Sequence, residues 1–286
     1  MPLSIIVLIK QVPDTTAVCA QVMKDDGTLN RSALPAVFNP EDMNALEMAL
    51  DLKGRCGATV TVLTMGPGHA AEMLRQALYM GADRAILLTD GIFAGSDTLA
   101  TSLVLSQAIR HFGAVDLILC GREAIDGNTA QVGPQVAEKL DMNQITYVDV
   151  IEQIDAMKCS CWHEVEEGRE LGESKLPVLL TVTASANTPR PFSAKRIMRF
   201  KKAMAPAELA PGAATGELVR RGLLIEQWSA NTIGVDAAQC GLAGSPTRVQ
   251  KIESVVLAGR NFKKITPDDG GIRLLLEELI ADYTFD

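Results

Sequence analysis

The sequence predicts an α/β domain built on a parallel β-sheet. Apolar runs of strand length recur along the chain, segments with helical spacing of apolar residues lie between them, and turn residues separate the two. This alternation of strands and helices favours a parallel sheet with right-handed crossovers. The continuous apolar runs are typical of strands covered on both faces. The predicted strands are Leu3–Ile9, Thr59–Thr64, Arg84–Thr89, Val115–Leu119 and Leu176–Thr183.

The predicted helices begin at recognisable capping sequences. Asn39 can cap the first helix, Pro40 suits its first position, and Glu41 and Asp42 place negative charge in its first turn. That helix is expected to end near Gly54. Further helices are predicted from Gly66-Pro67-Gly68 to Gly81, over Ala94–His111, and over Gln135–Leu140, which Thr129 could begin.

The pattern changes after the fourth predicted helix. Val148–Ile151 and Cys159–Val165 are predicted to form an added β segment around a turn near Asp155. We therefore expect a domain over residues 1–203 and an extended C-terminal arm over residues 204–286, where prolines and glycines interrupt the pattern. The arm contains a β-like segment at Ile252–Leu257 and a terminal helix at Ile272–Ile280. Long extensions usually pack on something, so we expect a partner subunit, with partial disorder as the alternative.

Composition excludes several classes of protein. The 286 residues are 47% hydrophobic, which supports a sizeable core, and the net charge of −8 argues against a general nucleic-acid binder. No apolar run approaches the roughly 20 residues needed to cross a bilayer, so no membrane insertion is expected. Six irregularly spaced cysteines do not form a disulfide framework. With no leader signal after Met1, we expect a cytoplasmic protein.

The main candidate for function is the segment Cys120–Pro134. It joins a buried strand to a helix through small polar residues and two glycines, which let backbone N–H groups approach a ligand. A helix N-terminus offers free N–H groups to an anion. A nucleotide-phosphate site at the carboxyl edge of a parallel sheet fits these features, and so does an ordinary connection between a strand and a helix.

Two other helix starts carry related signals. Gly95–Ser102 places Thr98, Thr101 and Ser102 near a polarised helix end, while Ser96 can serve as the cap. Gly66–Ala71 matches the G-x-G-x-x-G/A dinucleotide pattern. That pattern is common in α/β domains, and the expected ribose-binding acid could be only Asp90. An NAD-dependent enzyme is therefore an alternative hypothesis.

Motifs for metal binding and for nucleophilic catalysis are missing from the sequence. The three histidines, His69, His111 and His163, form no zinc-protease or triad-like motif. Cys159 and Cys161 would share one face of a strand, but no second pair stands at zinc spacing, which favours a strand-surface cysteine pair. A protein that positions a cofactor and passes electrons needs no such residues.

A basic cluster lies near the end of the predicted domain, in residues 187–202. Such a cluster is usually a solvated helix face, and the sharper hypothesis is a docking surface for an acidic partner. Its cations are interleaved with the apolar residues Ile197, Met198 and Phe200. The cluster comprises Arg190, Lys195, Arg196, Arg199, Lys201 and Lys202.

Taken together, the motifs resemble the β subunit of electron-transfer flavoproteins. The resemblance covers nearly the whole of residues 3–202 and rests on several ordered motifs at matching spacing. It also extends to Gly244–Val249 in the arm. The motifs are Val7–Asp14, Asn39–Asp42, Leu78–Asp83, Ala124–Pro134, and Pro189-Arg190 followed by Ile197-Met198.

The resemblance implies an adenine nucleotide α hydrolase-like fold and a heterodimer with an α subunit. FAD would lie near the subunit interface, held mostly by the α subunit, and electrons would pass between a dehydrogenase and an acceptor. The β subunit would hold a second adenine nucleotide, AMP in conventional members or FAD in the electron-bifurcating group. No substrate chemistry by this chain alone is expected. A stress-type nucleotide-sensing module of similar architecture is the alternative.

The resemblance also implies positions for the nucleotide and for the dehydrogenase. Gly95–Thr101 is similar to the bifurcating and nitrogen-fixation-related groups, although those groups usually carry Asp where this chain has Asn128. Conventional members present a docking leucine where this chain has Ala194. The implied docking residues are Arg190, Ala194, Lys195, Arg196, Ile197 and Met198. The implied nucleotide-binding residues are Leu8, Asn39, Pro40, Glu41, Asp42, Met65, Ser96, Thr98, Thr101, Asp126, Gly127, Asn128, Thr129, Ala130, Gln131 and Val132.

Overall fold

A mostly parallel sheet forms the centre of the computed structural model, which describes residues 2–14, 35–210, 212–247 and 264–281. The chain divides into two compact units, Met1–Gln250 and Lys251–Asp286. The sheet belongs to the first unit. In chain order the strands are β1 (Ser4–Leu8), β2 (Gln11–Pro13), β3 (Ala36–Phe38), β4 (Thr59–Met65), β5 (Arg84–Leu88), β6 (Leu117–Gly121), β7 (Asn143–Ile154), β8 (Lys158–Val165), β9 (Gly168–Lys175), β10 (Val178–Val182) and β11 (Glu226–Trp228).

Nine of the strands in the described ranges share this sheet, in the order β11-β5-β4-β1-β6-β10-β7-β8-β9. Pairing is parallel from β11 through β10 to β7, and antiparallel from β7 to β9. The α/β class with a parallel sheet and an added β segment is thus confirmed. β1 lies between β4 and β6, so the chain leaves β1 on one side and later returns on the other.

Helices cover both faces of the sheet. Alternate side chains of β1 explain this arrangement, since Ile5 and Val7 face one core while Ile6 and Leu8 face the other. The helices described in the first unit are α1 (Pro40–Cys56), α2 (Ala71–Met80), α3 (Thr98–Phe112), α4 (Val132–Leu140), α5 (Ala194–Phe200), α6 (Gly216–Arg220), α7 (Ala230–Ile233) and α8 (Gly241–Gly244). Side chains of α1, α2 and α5 contribute to the first core, and side chains of α3, α4 and α7 contribute to the second.

The added β segment contains one more strand than the sequence predicted. β7 and β8 form the expected hairpin, and the polar segment Gly168–Lys175 adds β9 at its edge. Cys159 and Cys161 are fully buried in the core, so the prediction of a strand-surface pair was wrong. Gln11–Pro13 also forms a short strand, β2, which pairs with β3 in a separate antiparallel pair.

Residues 204–247 pack on the domain that precedes them. Leu223 and Ile225 are buried in the first core, and Met204 forms backbone hydrogen bonds with both of them. β11 then adds a parallel edge strand next to β5. The sequence placed the start of the arm at residue 204, whereas the division between compact units lies after Gln250.

The second unit contains the helix α9 (Asp269–Ala281), which includes the predicted Ile272–Ile280. Ile272, Leu274 and Ile280 are exposed on it. The β-like segment predicted at Ile252–Leu257 lies outside the described residues. Throughout the described ranges, no helix combines the length and apolar character required to span a bilayer.

Candidate functional site

A cavity of about 840 Å³ opens at the carboxyl ends of β1, β4, β5 and β6. The chain passes from β1 to β4 on one side and later returns to β6 on the other side of β1. Ligands in open α/β sheets bind at such a switch point. Apolar side chains from these strands and from the helix side form part of its wall. These are Leu8, Leu63, Met65, Phe93 and Leu105.

The structure brings most of the predicted nucleotide-binding residues to this cavity. Asn39, Pro40, Glu41 and Asp126 do not line it. Asn39 and Glu41 instead bind the loop between β6 and α4, on which Asp126 lies. The predicted residues that do line it are Leu8, Asp42, Met65, Ser96, Thr98, Thr101, Gly127, Asn128, Thr129, Ala130, Gln131 and Val132.

Asn39 has a different role from the one that its position suggests. It occupies the N-cap position of α1 but makes no side-chain capping bond. Its amide instead donates to the carbonyl oxygen of Glu123 at 2.9 Å and accepts from the N–H of Ile125 at 3.2 Å. Asn39 thus holds the loop after β6, and the expected helix cap was wrong.

The two acids of the first turn of α1 also bind this loop. Glu41 accepts from the N–H of Glu123 at 2.9 Å, and Asp42 accepts from the N–H of Gly121 at 2.9 Å and from that of Lys10 at 2.8 Å. Both side chains are buried. Burial raises the pKa of Asp42 to about 7, although the hydrogen bonds from Gly121 and Lys10 and the positive charge of Lys10 oppose that shift.

The loop itself has an unusual backbone. Asn128 and Ala130 adopt φ of 46° and 52°, a left-handed conformation that non-glycine residues seldom adopt. With its nitrogen turned toward the loop, the Asn128 amide donates to the carbonyl oxygens of Ala124 and Ile125 at 3.0 and 3.3 Å. Asparagine tolerates this conformation through such local hydrogen bonds, so Asn128 acts as a loop-shaping residue as well as a cavity-lining one.

Lys10 and Arg122 were not predicted as site residues, and both line the cavity. Lys10 Nζ lies 2.8 Å from each carboxylate oxygen of Asp126, which links the end of β1 to the loop. The Arg122 guanidinium contacts Glu41 at 2.9 Å and lies over the ring of Tyr147. Arg122 directly follows β6, and Lys10 lies two residues after the end of β1. A position just after a buried strand is the one sequence signal that could have identified them.

The N-terminus of α3 is already capped. Asp97, and not Ser96, is its cap, because the Asp97 carboxylate accepts from the N–H of Ala100 at 3.0 Å. Ser96 donates to the carbonyl oxygen of Phe93 and accepts from the N–H of Gly241. The helix starts at Thr98, so the predicted start at Ala94 was wrong. Its polarised end is occupied by the chain's own carboxylate.

The hydroxyl groups near this helix end divide into two kinds. Ser102 is fully buried, and its single hydroxyl proton is shared between Gln135 Oε1 at 3.0 Å and the carbonyl oxygen of Leu99 at 2.9 Å, so its hydroxyl makes internal contacts. Thr98 and Thr101 line the cavity. Thr98 also donates to Gln131 at 2.9 Å and thereby links α3 to the start of α4.

The N-terminus of α4 is open toward the same cavity. The helix begins at Val132, three residues after the predicted Thr129, and Gln131 at its cap position makes no side-chain capping bond. Pro134 has no N–H, and in the described part of the chain no acceptor bonds to the N–H groups of Val132 or Gly133. Both residues line the cavity, which makes this helix end suitable for an anion.

The glycine pattern Gly66–Ala71 contributes to the same cavity through Gly66, Pro67 and Gly68. Asp90, the candidate ribose-binding acid, uses its two carboxylate oxygens to accept from the N–H groups of Ile92 and Ala230, each at 3.2 Å. Asp90 also lines the cavity, but these two bonds give its carboxylate a capping role, so the pattern here is accounted for as a turn at the cavity wall.

The predicted docking segment contains both internal and exposed side chains. Arg190 forms a two-pronged ion pair with Glu47, and Arg196 donates to the carbonyl oxygens of Leu78 and Ala82, so both hold the segment on the domain. Ile197 is partly buried. The exposed members are Ala194, Lys195 and Met198, the last of them 68% exposed.

Replacing Arg196 by methionine is expected to lower the free energy of unfolding by about 1–3 kcal/mol, because two carbonyl oxygens at the end of α2 lose their donor. Urea denaturation measures this change. Lys195→Met is the matched control, since Lys195 is exposed on the same helix and should change stability by less than about 0.5 kcal/mol. Equal losses in the two variants would contradict the role of Arg196.

Comparison with known proteins agrees with the geometry. The family model "Electron transfer flavoprotein domain" matches residues 26–210. The electron transfer flavoprotein subunit beta of Clostridium acetobutylicum is 43% identical, over 90% of each chain. Protein FixA of Sinorhizobium fredii is 43% identical, over 87% of this chain and 82% of its own. The caffeyl-CoA reductase-Etf complex subunit CarD of Acetobacterium woodii is 42% identical, over 86% and 85%. The chain therefore belongs to the electron transfer flavoprotein family, in the group of its β subunits and FixA proteins.

Proposed function

We propose that the cavity binds an adenine nucleotide and that the chain works in a heterodimer with an α subunit, passing electrons between a dehydrogenase and an acceptor through FAD near the subunit interface. The observation that carries this proposal is the uncapped N-terminus of α4, which opens into a cavity at the switch point of the sheet. Membership of the flavoprotein family supports the electron-transfer role.

Different walls of the cavity suit different parts of a nucleotide. The N–H groups of Val132 and Gly133 and the hydroxyl groups of Thr98 and Thr101 suit a phosphate group. The apolar wall, with Leu8 among its members, suits a base. A volume of about 840 Å³ lies high in the range of ligand sites, so it accommodates FAD as well as AMP.

The contribution of this chain to the reaction is binding and orientation. A bound FAD supplies the electron-transfer chemistry, and protein groups around a cofactor position it and exclude competing reactions. Glu41, Asp42 and Asn39 fix the loop that faces the nucleotide, and Lys10 pairs with Asp126 at its edge. A rigid loop presents its N–H groups in one arrangement, which lowers the ordering cost of binding.

Counting the ligands released from the purified heterodimer tests the proposal. Two FAD per heterodimer would identify the nucleotide of this chain as FAD, and one FAD with one AMP would identify it as AMP. A complex that carries no adenine nucleotide beyond the FAD of the α subunit would contradict the cavity assignment. Failure to copurify with any flavin-containing α subunit would contradict the electron-transfer role and favour a nucleotide-sensing module.

Replacing Thr98 by valine is expected to weaken nucleotide binding about tenfold, because the cavity loses a hydroxyl group that also positions Gln131 at the start of α4, while the side-chain volume is kept. Equilibrium titration of the ligand-free heterodimer with AMP and FAD measures the change. Thr188→Val is the matched control, since Thr188 is an exposed residue that does not line the cavity. Unchanged affinity in Thr98→Val would contradict the phosphate assignment.

We also propose that the exposed part of the docking segment contacts the dehydrogenase. Lys195 offers a positive charge and Met198, three residues later on α5, an apolar side chain, and Ala194 is exposed at the start of the same helix. This combination fits an acidic partner surface with an apolar centre. Lys195→Glu should slow association of the heterodimer with the dehydrogenase. Association at the wild-type rate would contradict the proposed contact.

A further inference from the structure

The segment Gly241–Thr247 lies against the loop that leads into α3, about 150 residues earlier in the chain. Ser245 Oγ accepts from the N–H of Asp97 at 2.8 Å. Thr247 donates twice to the Asp97 carboxylate oxygen Oδ2, from its hydroxyl at 2.6 Å and from its N–H at 3.1 Å. Gly241 donates its N–H to Ser96 Oγ at 3.2 Å. Two consecutive residues of the loop are therefore held from the C-terminal side.

The packing of this segment leaves little freedom. A Cβ atom on Gly241 would lie 2.2 Å from the carbonyl oxygen of Ile92, and one on Gly95 would lie 2.6 Å from Leu242 Cγ. Both glycines have positive φ. Ser245 is buried and donates back to the carbonyl oxygen of Gly241 at 2.6 Å. These close contacts fix the segment on the loop.

Asp97 is the centre of this contact and also lines the cavity. One of its oxygens, Oδ1, caps α3 through Ala100, and the other, Oδ2, is bound only by Thr247 within the described residues. A carboxylate at the phosphate end of a cavity disfavours a bound anion. Although its partial burial opposes ionisation, hydrogen bonds from Thr247 and from the N–H groups of Ala100 and Leu99 hold the pKa of Asp97 below its usual range.

We propose that Ser245 and Thr247 are positioning residues for the nucleotide cavity. Thr247 holds the Asp97 carboxylate, and Ser245 holds the Asp97 backbone N–H, on the C-terminal segment. The carboxylate is thereby kept away from the phosphate subsite formed by Thr98, Thr101 and the start of α4. The inference rests on the proposed nucleotide function of this cavity. Because the coupling is reciprocal, a nucleotide bound to the cavity also strengthens the attachment of Gly241–Thr247.

The test compares phosphorylated ligands with adenosine in the ligand-free heterodimer. Thr247→Val removes the hydroxyl group and keeps the shape of the side chain. It should weaken AMP and ADP about tenfold and leave adenosine unchanged, because only the phosphate meets the released carboxylate. Thr247→Ser retains the hydroxyl and should bind like wild type. Thr232→Val is the matched control, since Thr232 is an exposed threonine that bonds to Ser229 and does not line the cavity.

A second variant tests the charge of Asp97. Asp97→Asn in the Thr247→Val background removes the repulsion and should recover most of the lost AMP affinity. Equal weakening of AMP and adenosine by Thr247→Val, unchanged AMP affinity, or no recovery in the double variant would each overturn the inference. A wild-type heterodimer whose cavity binds none of AMP, ADP and FAD would instead contradict the proposed function, so the two failures are distinguishable.

Discussion

Replacing Gly121 by alanine is expected to lower the free energy of unfolding by roughly 2–5 kcal/mol. A Cβ atom at this position would lie 2.6 Å from Asp42 Oδ1, 2.8 Å from Glu41 Cβ and 2.9 Å from the Asp42 backbone nitrogen. Glu41 Cβ and the Asp42 nitrogen are held by the backbone of α1 and cannot move by side-chain rotation, so the strand or the helix must shift. That shift breaks the buried hydrogen bond from Gly121 to Asp42. Urea denaturation of the purified chain measures the loss.

Gly127→Ala is the control for this prediction, because it adds the same methyl group to the same loop. No heavy atom lies within 4 Å of the Cβ position at Gly127, and its φ is not in the left-handed region. The expected change in stability is below about 0.5 kcal/mol. If Gly121→Ala were as stable as Gly127→Ala, the close contact between the end of β6 and the start of α1 would not constrain the fold.

The central strands were predictable because their signal is local. β1, β4, β5, β6 and β10 are buried on both faces, and a short run of apolar and β-branched residues identifies such strands without knowledge of their neighbours. The position of the cavity followed from the same signal, since the carboxyl ends of adjacent parallel strands meet at one edge.

Elements that depend on distant pairing were not predictable in this way. β9 consists mainly of exposed polar residues and is a strand only because it pairs with β8 along its whole length. β2 has three residues and pairs with β3 across more than twenty intervening positions. Propensity and periodicity carry little information about either one, because the hydrogen-bonding partner determines the conformation.

The roles of the site residues illustrate the same limit. The sequence placed Asn39, Glu41 and Asp42 near the nucleotide, but their local pattern is that of an ordinary helix start. In the structure their side chains bind the loop after β6, about 80 residues later. Likewise, the cap of α3 could not be identified locally, because Asp97 is selected over Ser96 by contacts with Gly241 and Thr247.

The buried carboxyl group of Asp42 is expected to make the stability of the fold depend on pH. Its pKa is raised from 3.8 to about 7, chiefly by burial. Between these values the folded state binds a proton that the unfolded state releases, so the free energy of unfolding falls as pH rises from about 4 to about 7. Protonation of Asp42 contributes about 4 kcal/mol to the free energy of unfolding, when the pKa difference is converted at 1.36 kcal/mol per unit. This contribution is fully present below pH 4 and lost above pH 7.

Urea denaturation at several pH values, compared between wild type and Asp42→Asn, isolates this contribution. The asparagine cannot ionise, but its amide nitrogen must face one of the two N–H donors, Lys10 or Gly121, which costs about 1–3 kcal/mol at pH 4. The variant should therefore be less stable than wild type at pH 4 and should regain that difference by pH 8. Asp51→Asn is the matched control, because it removes an exposed carboxylate from the same helix. Parallel stability curves for wild type and Asp42→Asn would show that Asp42 keeps its charge in the folded protein throughout this range. In that case the N–H groups of Gly121 and Lys10, together with the Lys10 ammonium, would lower the pKa of Asp42 by more than burial raises it.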